Sequence, residues 1–151
     1  MATRKPVLQK FQRGAATASY ELSDDGIVCA HLGGVLVPAN AGEMSALLLK
    51  SGADLGASGV LCSVQTALVA LPPIEAKHYR YVPPELRAVP VAVVVSPEQM
   101  AVYEHIAQAA APSGAIRRAF LSREQAQAWL REQVRALAGS RAWRSVHPSP
   151  P

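Results

Sequence analysis

The sequence predicts one α/β domain: a mixed β-sheet that opens with an N-terminal β-hairpin and is covered by amphipathic helices. Three observations carry this expectation. Short apolar, β-branched runs alternate with segments whose apolar residues recur at three- and four-residue spacing, as in strands followed by helices that pack on a sheet. Two helical segments open on a Ser three residues before a Gln, Ser96 with Gln99 and Ser122 with Gln125. Such side chains satisfy the backbone N–H groups that a first helical turn leaves free. Finally, the chain has 151 residues, of which 50% are hydrophobic. That is enough to close one core and too apolar for disorder of the whole chain.

Taken in order, Ser19 to Leu22 and Ile27 to Leu32 read as the two arms of a hairpin. Asp25-Gly26 between them suits a tight turn, because Gly accepts a positive φ. Gly33-Gly34 marks a break or bulge before Val35 to Val37. A helix is expected from Asn40, an N-cap residue with Glu43 three positions on to reach back to it. Met44, Leu47, Leu48 and Leu55 share its inner face, and Gly52 and Gly56 end it between Lys50 and Ala53. The run from Gly59 to Leu71 starts as a buried strand. Five prolines between residues 72 and 90 predict a loop.

Val91 to Val95 is a continuous β-branched strand, the type covered on both faces. After it Ser96 caps a helix with Pro97 at the first position and Met100, Tyr103, Ile106, Ala107 and Ala110 on one face. Pro112 and Gly114 stop it. Ala115 to Leu121 is a further strand, and Ser122 caps a last helix that buries Ala126, Trp129, Leu130, Val134 and Leu137. Parallel strands joined by right-handed crossovers, with an antiparallel hairpin at one edge, are the expected arrangement.

The formal net charge is +4, but it is carried by the ends. Arg4, Lys5, Lys10 and Arg13 lie within residues 1–18 without an acid, and Arg141 and Arg144 lie within residues 139–151. The middle is slightly acidic. The expected organisation is a flexible basic arm over residues 1–18, a single domain over residues 19–138 and a flexible tail over residues 139–151. A basic stripe on a folded face is missing from this pattern, so nucleic acid is not an expected partner. No apolar core follows the basic N-terminus and no run is long enough for a membrane span. Cys29 and Cys62 are then expected as free thiols in a reducing cytoplasm.

A family resemblance starts in the last third. The segment Val89-Pro90-Val91-Ala92-Val93-Val94-Val95, its capped helix, and Arg118-Ala119-Phe120-Leu121-Ser122-Arg123-Glu124-Gln125-Ala126-Gln127-Ala128-Trp129-Leu130 resemble the end of a STAS-like domain. That is the fold of anti-sigma factor antagonists and sulfate-transporter tails. Tyr20-Glu21-Leu22 and Asp25-Gly26-Ile27-Val28 are similar to its opening hairpin, and residues 40–50 stand where its first helix belongs. The resemblance covers residues 19–138 and implies a non-enzymatic regulatory or protein-interaction module. Regulatory members carry a phosphorylatable hydroxyl after an Asp, behind the central strand. Ser63 and Thr66 lie near that place, no Asp precedes either, and the role is not carried over to them.

The remaining chemistry is sparse. Cys29 and His31, two apart on a strand, face one way. A zinc site needs further ligands with suitable spacing, and Cys62 lies on another strand. Ser63 and Thr66 have no His–Asp partner near in sequence, His105 stands on a solvated helix position, and the glycines at 52, 56 and 59 match no phosphate-binding pattern. Arg117 and Arg118, adjacent on a strand, face opposite ways. No catalytic, cofactor-binding or metal-binding residue is assigned. The candidate interaction or ligand surface is His78, Tyr79, Arg80 and Tyr81, a ring-rich cluster beside Glu75 and Lys77. Three functions compete: an interaction module that binds a protein partner or a second copy as a homodimer, a binder of a small apolar ligand, and, third, an enzyme.

Overall fold

A computed structural model describes residues 9–70 and 89–146. Among these residues seven strands form one mixed sheet, with three helices. In chain order these are β1 (Gln9–Arg13), β2 (Ala16–Leu22), β3 (Ile27–Leu36), α1 (Pro38–Asp54), β4 (Gly59–Ser63), β5 (Leu68–Val69), β6 (Val91–Val94), α2 (Pro97–Ala110), a single 3-10 turn (Ala111–Ser113), β7 (Arg117–Phe120) and α3 (Arg123–Val146). The strand order is β1-β2-β3-β4-β6-β7, with β5 extending the line of β4 against the end of β3. β1, β2 and β3 are antiparallel, and β3, β4, β6 and β7 run parallel.

The alternation of side chains along each strand divides the core into two. Val28, Ala30, Leu32, Val60, Cys62 and Val91 face α1 and α2. Ile27, Leu61, Ala92, Val94 and Phe120 face α3, where they meet Ala126 and Leu130. The expected apolar faces of the helices are the ones used. Met44 and Leu48 of α1 are buried, Ala126 and Leu130 of α3 likewise, and Trp129 tilts against Phe120 at 5.6 Å between ring centroids. Leu55, beyond the end of α1, is 45% exposed and does not join that face. Gly59 lets α3 lie close: a Cβ there would stand 2.9 Å from Cδ1 of Leu130.

Several boundaries differ from the sequence expectation. The arm expected over residues 1–18 is sheet from Gln9 onward: Arg13 pairs with Ala16 across a turn at Gly14, φ +56°. β1 shows no apolar period because it is an edge strand whose one large apolar side chain, Phe11, packs on Tyr20 of β2. Lys10 and Arg13 therefore belong to the folded domain. At the other end α3 runs through Gly139 to Val146, so residues 139–146 are helix and not tail. Residues 1–8 and 147–151 lie outside the described residues.

Gly33-Gly34 does not break β3, which continues to Leu36. Gly34 sits at φ +73°, where a Cβ would collide with the Ala15 carbonyl, so only glycine fits this approach of β2 and β3. Helix α1 starts at Pro38, with Val37 as its N-cap. Asn40 stands inside the first turn. Its Oδ1 accepts the Val37 N–H at 3.0 Å and its Nδ2 donates to the Val35 carbonyl at 3.0 Å. Glu43 pairs instead with Arg13 across to β1, at 2.7 Å.

The start of α2 follows expectation and adds a long-range tie. Oε1 of Gln99 accepts the Ser96 N–H at 2.9 Å. Its Nε2 donates to the carbonyls of Val64 and Ala67, both at 2.9 Å. The buried carboxamide thus pins the turn after β4 to the first turn of α2. Replacing it with an apolar isostere strands the Ser96 N–H and the Ala67 carbonyl and leaves the Val64 carbonyl with only the Ala67 N–H. Gln99→Leu is expected to lower the unfolding free energy by about 2–4 kcal/mol, read as a lower urea midpoint with an unchanged slope.

Candidate functional site

Of the residues singled out in the sequence, His78, Tyr79, Arg80 and Tyr81 lie outside the described residues. The others are scattered. Cys29 and His31 share the α3 face of β3, as expected, while Cys62 of β4 points to the opposite face. Both thiols are free, and the sheet stands between them. Among the described residues no three His, Cys, Asp or Glu side chains gather as a metal site would require. Burial raises the Cys29 thiol above its ordinary range, with Arg123 opposing it. Ser63 is buried at the end of β4. Thr66 reaches His31, Oγ1 to Nε2 at 2.8 Å. No carboxylate backs this exposed pair among the described hydrogen bonds, so the third member of a nucleophilic triad is missing there. His105 is exposed on α2.

A more organised region forms where α2 crosses β7. In the β6–β7 ladder Val91 donates to the Ile116 carbonyl and Val95 to the Phe120 carbonyl, each at 2.8 Å. Backbone groups of successive residues point to opposite sides of a strand. Ile116, Arg118 and Phe120 therefore bond to β6, while the N–H and C=O of Arg117 and Ala119 are directed outward. No strand pairs with that edge among the described residues. The edge lies in an open groove of about 570 Å³, walled by Met100, Glu104 and Gln108 of α2 on one side and by Leu121 and Gln125 on the other. Leu121 is 52% exposed.

Beneath α2 the same region continues inward as an apolar cavity of about 90 Å³. Leu36, Leu48, Val60, Val91 and Ile106 line it together with three polar side chains, Cys62, Tyr103 and Arg117. Arg117 and Arg118 border both the cavity and the groove. They face opposite sides of the sheet, as the sequence implies. Arg118 lies over the Phe120 ring, 5.1 Å from its centroid. Arg117 turns under α2, and neither ion pair formed among the described residues uses it.

The electrostatics of the cavity follow from burial. The Cys62 thiol is pushed up to about 12, against a weaker opposing pull from Arg117. Burial, then proximity to Cys62, pushes the Tyr103 phenol above its ordinary range. Burial pulls the Arg117 guanidinium down, and Cys62 opposes that. At neutral pH the site therefore holds a protonated thiol, a protonated phenol and one half-buried cation. The thiolate is the nucleophilic form, so Cys62 is inert here. The arrangement can hold a ligand or a strand but has no activated attacking group.

No family model, curated protein or solved structure matches the chain.

The buried thiol has a pH signature. An unfolded chain ionises Cys62 near its ordinary value of 9.0, whereas the folded chain keeps that proton to about 12. Between those values the unfolded state binds fewer protons, so stability falls as pH rises. The loss from this one group is about 1.4 kcal/mol per pH unit. Urea unfolding of Cys62→Ala should therefore show a shallower decline above about pH 9 than the wild type. Equal slopes would mean the thiol is not buried.

Proposed function

We propose that the protein is a non-enzymatic protein-interaction module on a STAS-like scaffold, and that it takes an extended acidic segment of a partner protein onto the free edge of β7. The observation that carries this reading is the unpaired edge itself, set in a groove between α2 and the start of α3. Strand addition uses outward backbone groups for affinity and flanking pockets for selectivity. Arg117 and Ala119 supply the backbone groups. Arg118, exposed beside the edge, favours an acidic strand, and Glu104 on the α2 wall disfavours acid on that side. A second copy is the less favoured occupant, because antiparallel self-pairing centred on Arg118 would set two Arg118 side chains directly opposite each other.

The N-terminal hairpin, the parallel strands and the closing helix with Ala126, Trp129 and Leu130 on its buried face support the STAS-like reading. Two free cysteines on opposite faces fit a reducing compartment such as the cytoplasm. No described helix is long and apolar enough to cross a membrane.

The test is affinity capture from the native source with quantitative mass spectrometry, comparing wild type with Ala119→Pro and Arg118→Glu. Proline at 119 removes an outward N–H and leaves the bonds to β6 in place. A partner retained by wild type should be lost by Ala119→Pro and reduced by Arg118→Glu, with cross-links mapping to residues 117–121. A partner that Ala119→Pro retains equally, or no partner at all, contradicts the reading.

A further inference from the structure

The cavity beneath α2 has features that a strand on the β7 edge does not use. Its wall is apolar, yet Arg117 enters it half-buried, and neither ion pair among the described residues uses it. A desolvated cation in a protein is normally paired. Tyr103 brings a phenol to the same space. Apolar walls with a few convergent polar groups are the composition of a small-molecule site. Arg117 also borders the open groove, so it stands at the mouth, where a ligand would enter.

We propose that this cavity binds a small carboxylate with a short apolar body. The carboxylate pairs with Arg117 at the mouth, whose fork of N–H donors matches a carboxylate's two oxygens. The Tyr103 hydroxyl is the second donor. The body lies inward against Leu36, Leu48, Val60 and Ile106. Size sets the class. A volume of about 90 Å³ corresponds to about three water molecules at ~30 Å³ each, hence a body of about three to four carbons. Cys62 stays a neutral part of the wall and takes no part in any reaction.

The site stands independently of the β7 edge, and its test separates the two. Acetate, butyrate, isovalerate and octanoate, with n-butanol as the uncharged control, are titrated into the ¹⁵N-labelled full chain at millimolar concentrations. Butyrate and isovalerate are expected to bind saturably, shifting the amides of Tyr103, Ile106 and Arg117, and to bind more tightly than acetate, octanoate or n-butanol. Arg117→Gln should weaken butyrate about tenfold or more, the scale of one charged hydrogen bond. Ile106→Ala, which enlarges the cavity, should move the preference toward octanoate. Leu121→Glu, in the groove and outside the cavity lining, should leave butyrate binding unchanged while weakening capture of an acidic strand. Absence of saturable binding by any carboxylate overturns the proposal. So does n-butanol binding as tightly as butyrate, or affinity indifferent to both Arg117→Gln and Ile106→Ala in variants whose spectra remain dispersed.

Discussion

From β3 onward, the hand of the crossover connections places the elements. The parallel strands β3, β4, β6 and β7 step across the sheet in one direction. Crossovers of one hand that step one way must place their helices on one face. α1 and α2 accordingly share a face, and α3, which follows the last strand without returning to the sheet, covers the other. The same progression makes β7 terminal. Among the described residues it is paired on one side only, and its helix neighbours wall in the other. The groove is thus a consequence of chain topology, and the residues at 117 to 121 decide what it can receive.

Composition explains the cavity. The chain is poor in aromatics, at 5%, and its helix–sheet contacts rely on small side chains. On the α3 face Gly59 and Ala126 let Leu130 approach β4 closely, and a space of about 110 Å³ remains beside Leu130, toward Asp25 and Arg131. Under α2 the opposed residues include Ala107 and Ala119, and a space remains beside Tyr103 and Arg117. A void of about 90 Å³ costs about 2 kcal/mol at ~24 cal/mol per Å³. A ligand that fills it recovers part of that cost.

Much of the fold was legible in the sequence because its signals are local. The Asp25-Gly26 turn, the β-branched β6, the Ser96 and Ser122 caps and the buried stripe of α3 each depend on residues within one helical turn or one strand. The opposed directions of Arg117 and Arg118 follow from strand alternation alone. What escaped depends on distant partners. β1 is recognisable only through Tyr20, which its Phe11 meets across a turn. Asn40 has the side chain of an N-cap, but inside the first turn its Nδ2 also reaches the Arg13 carbonyl at 3.4 Å, a partner on β1 with no local signature. Gln99 announced its helix start, but its bonds to Val64 and Ala67 span more than thirty residues. The groove and the cavity escape the sequence for the same reason. A ring-rich run such as His78 to Tyr81 is visible in sequence, whereas a bare strand edge and a void between two elements have no local signature.

The bare edge of β7 is the claim on which the interaction reading stands, and amide hydrogen exchange on the isolated protein measures it directly. The N–H groups of Arg118 and Phe120 bond to β6 and should exchange slowly, while those of Arg117 and Ala119 point to solvent and should exchange fast. That alternation along four consecutive residues is the expected result. Equal, strong protection of all four would show that the edge is already covered in the folded chain, and would contradict the account.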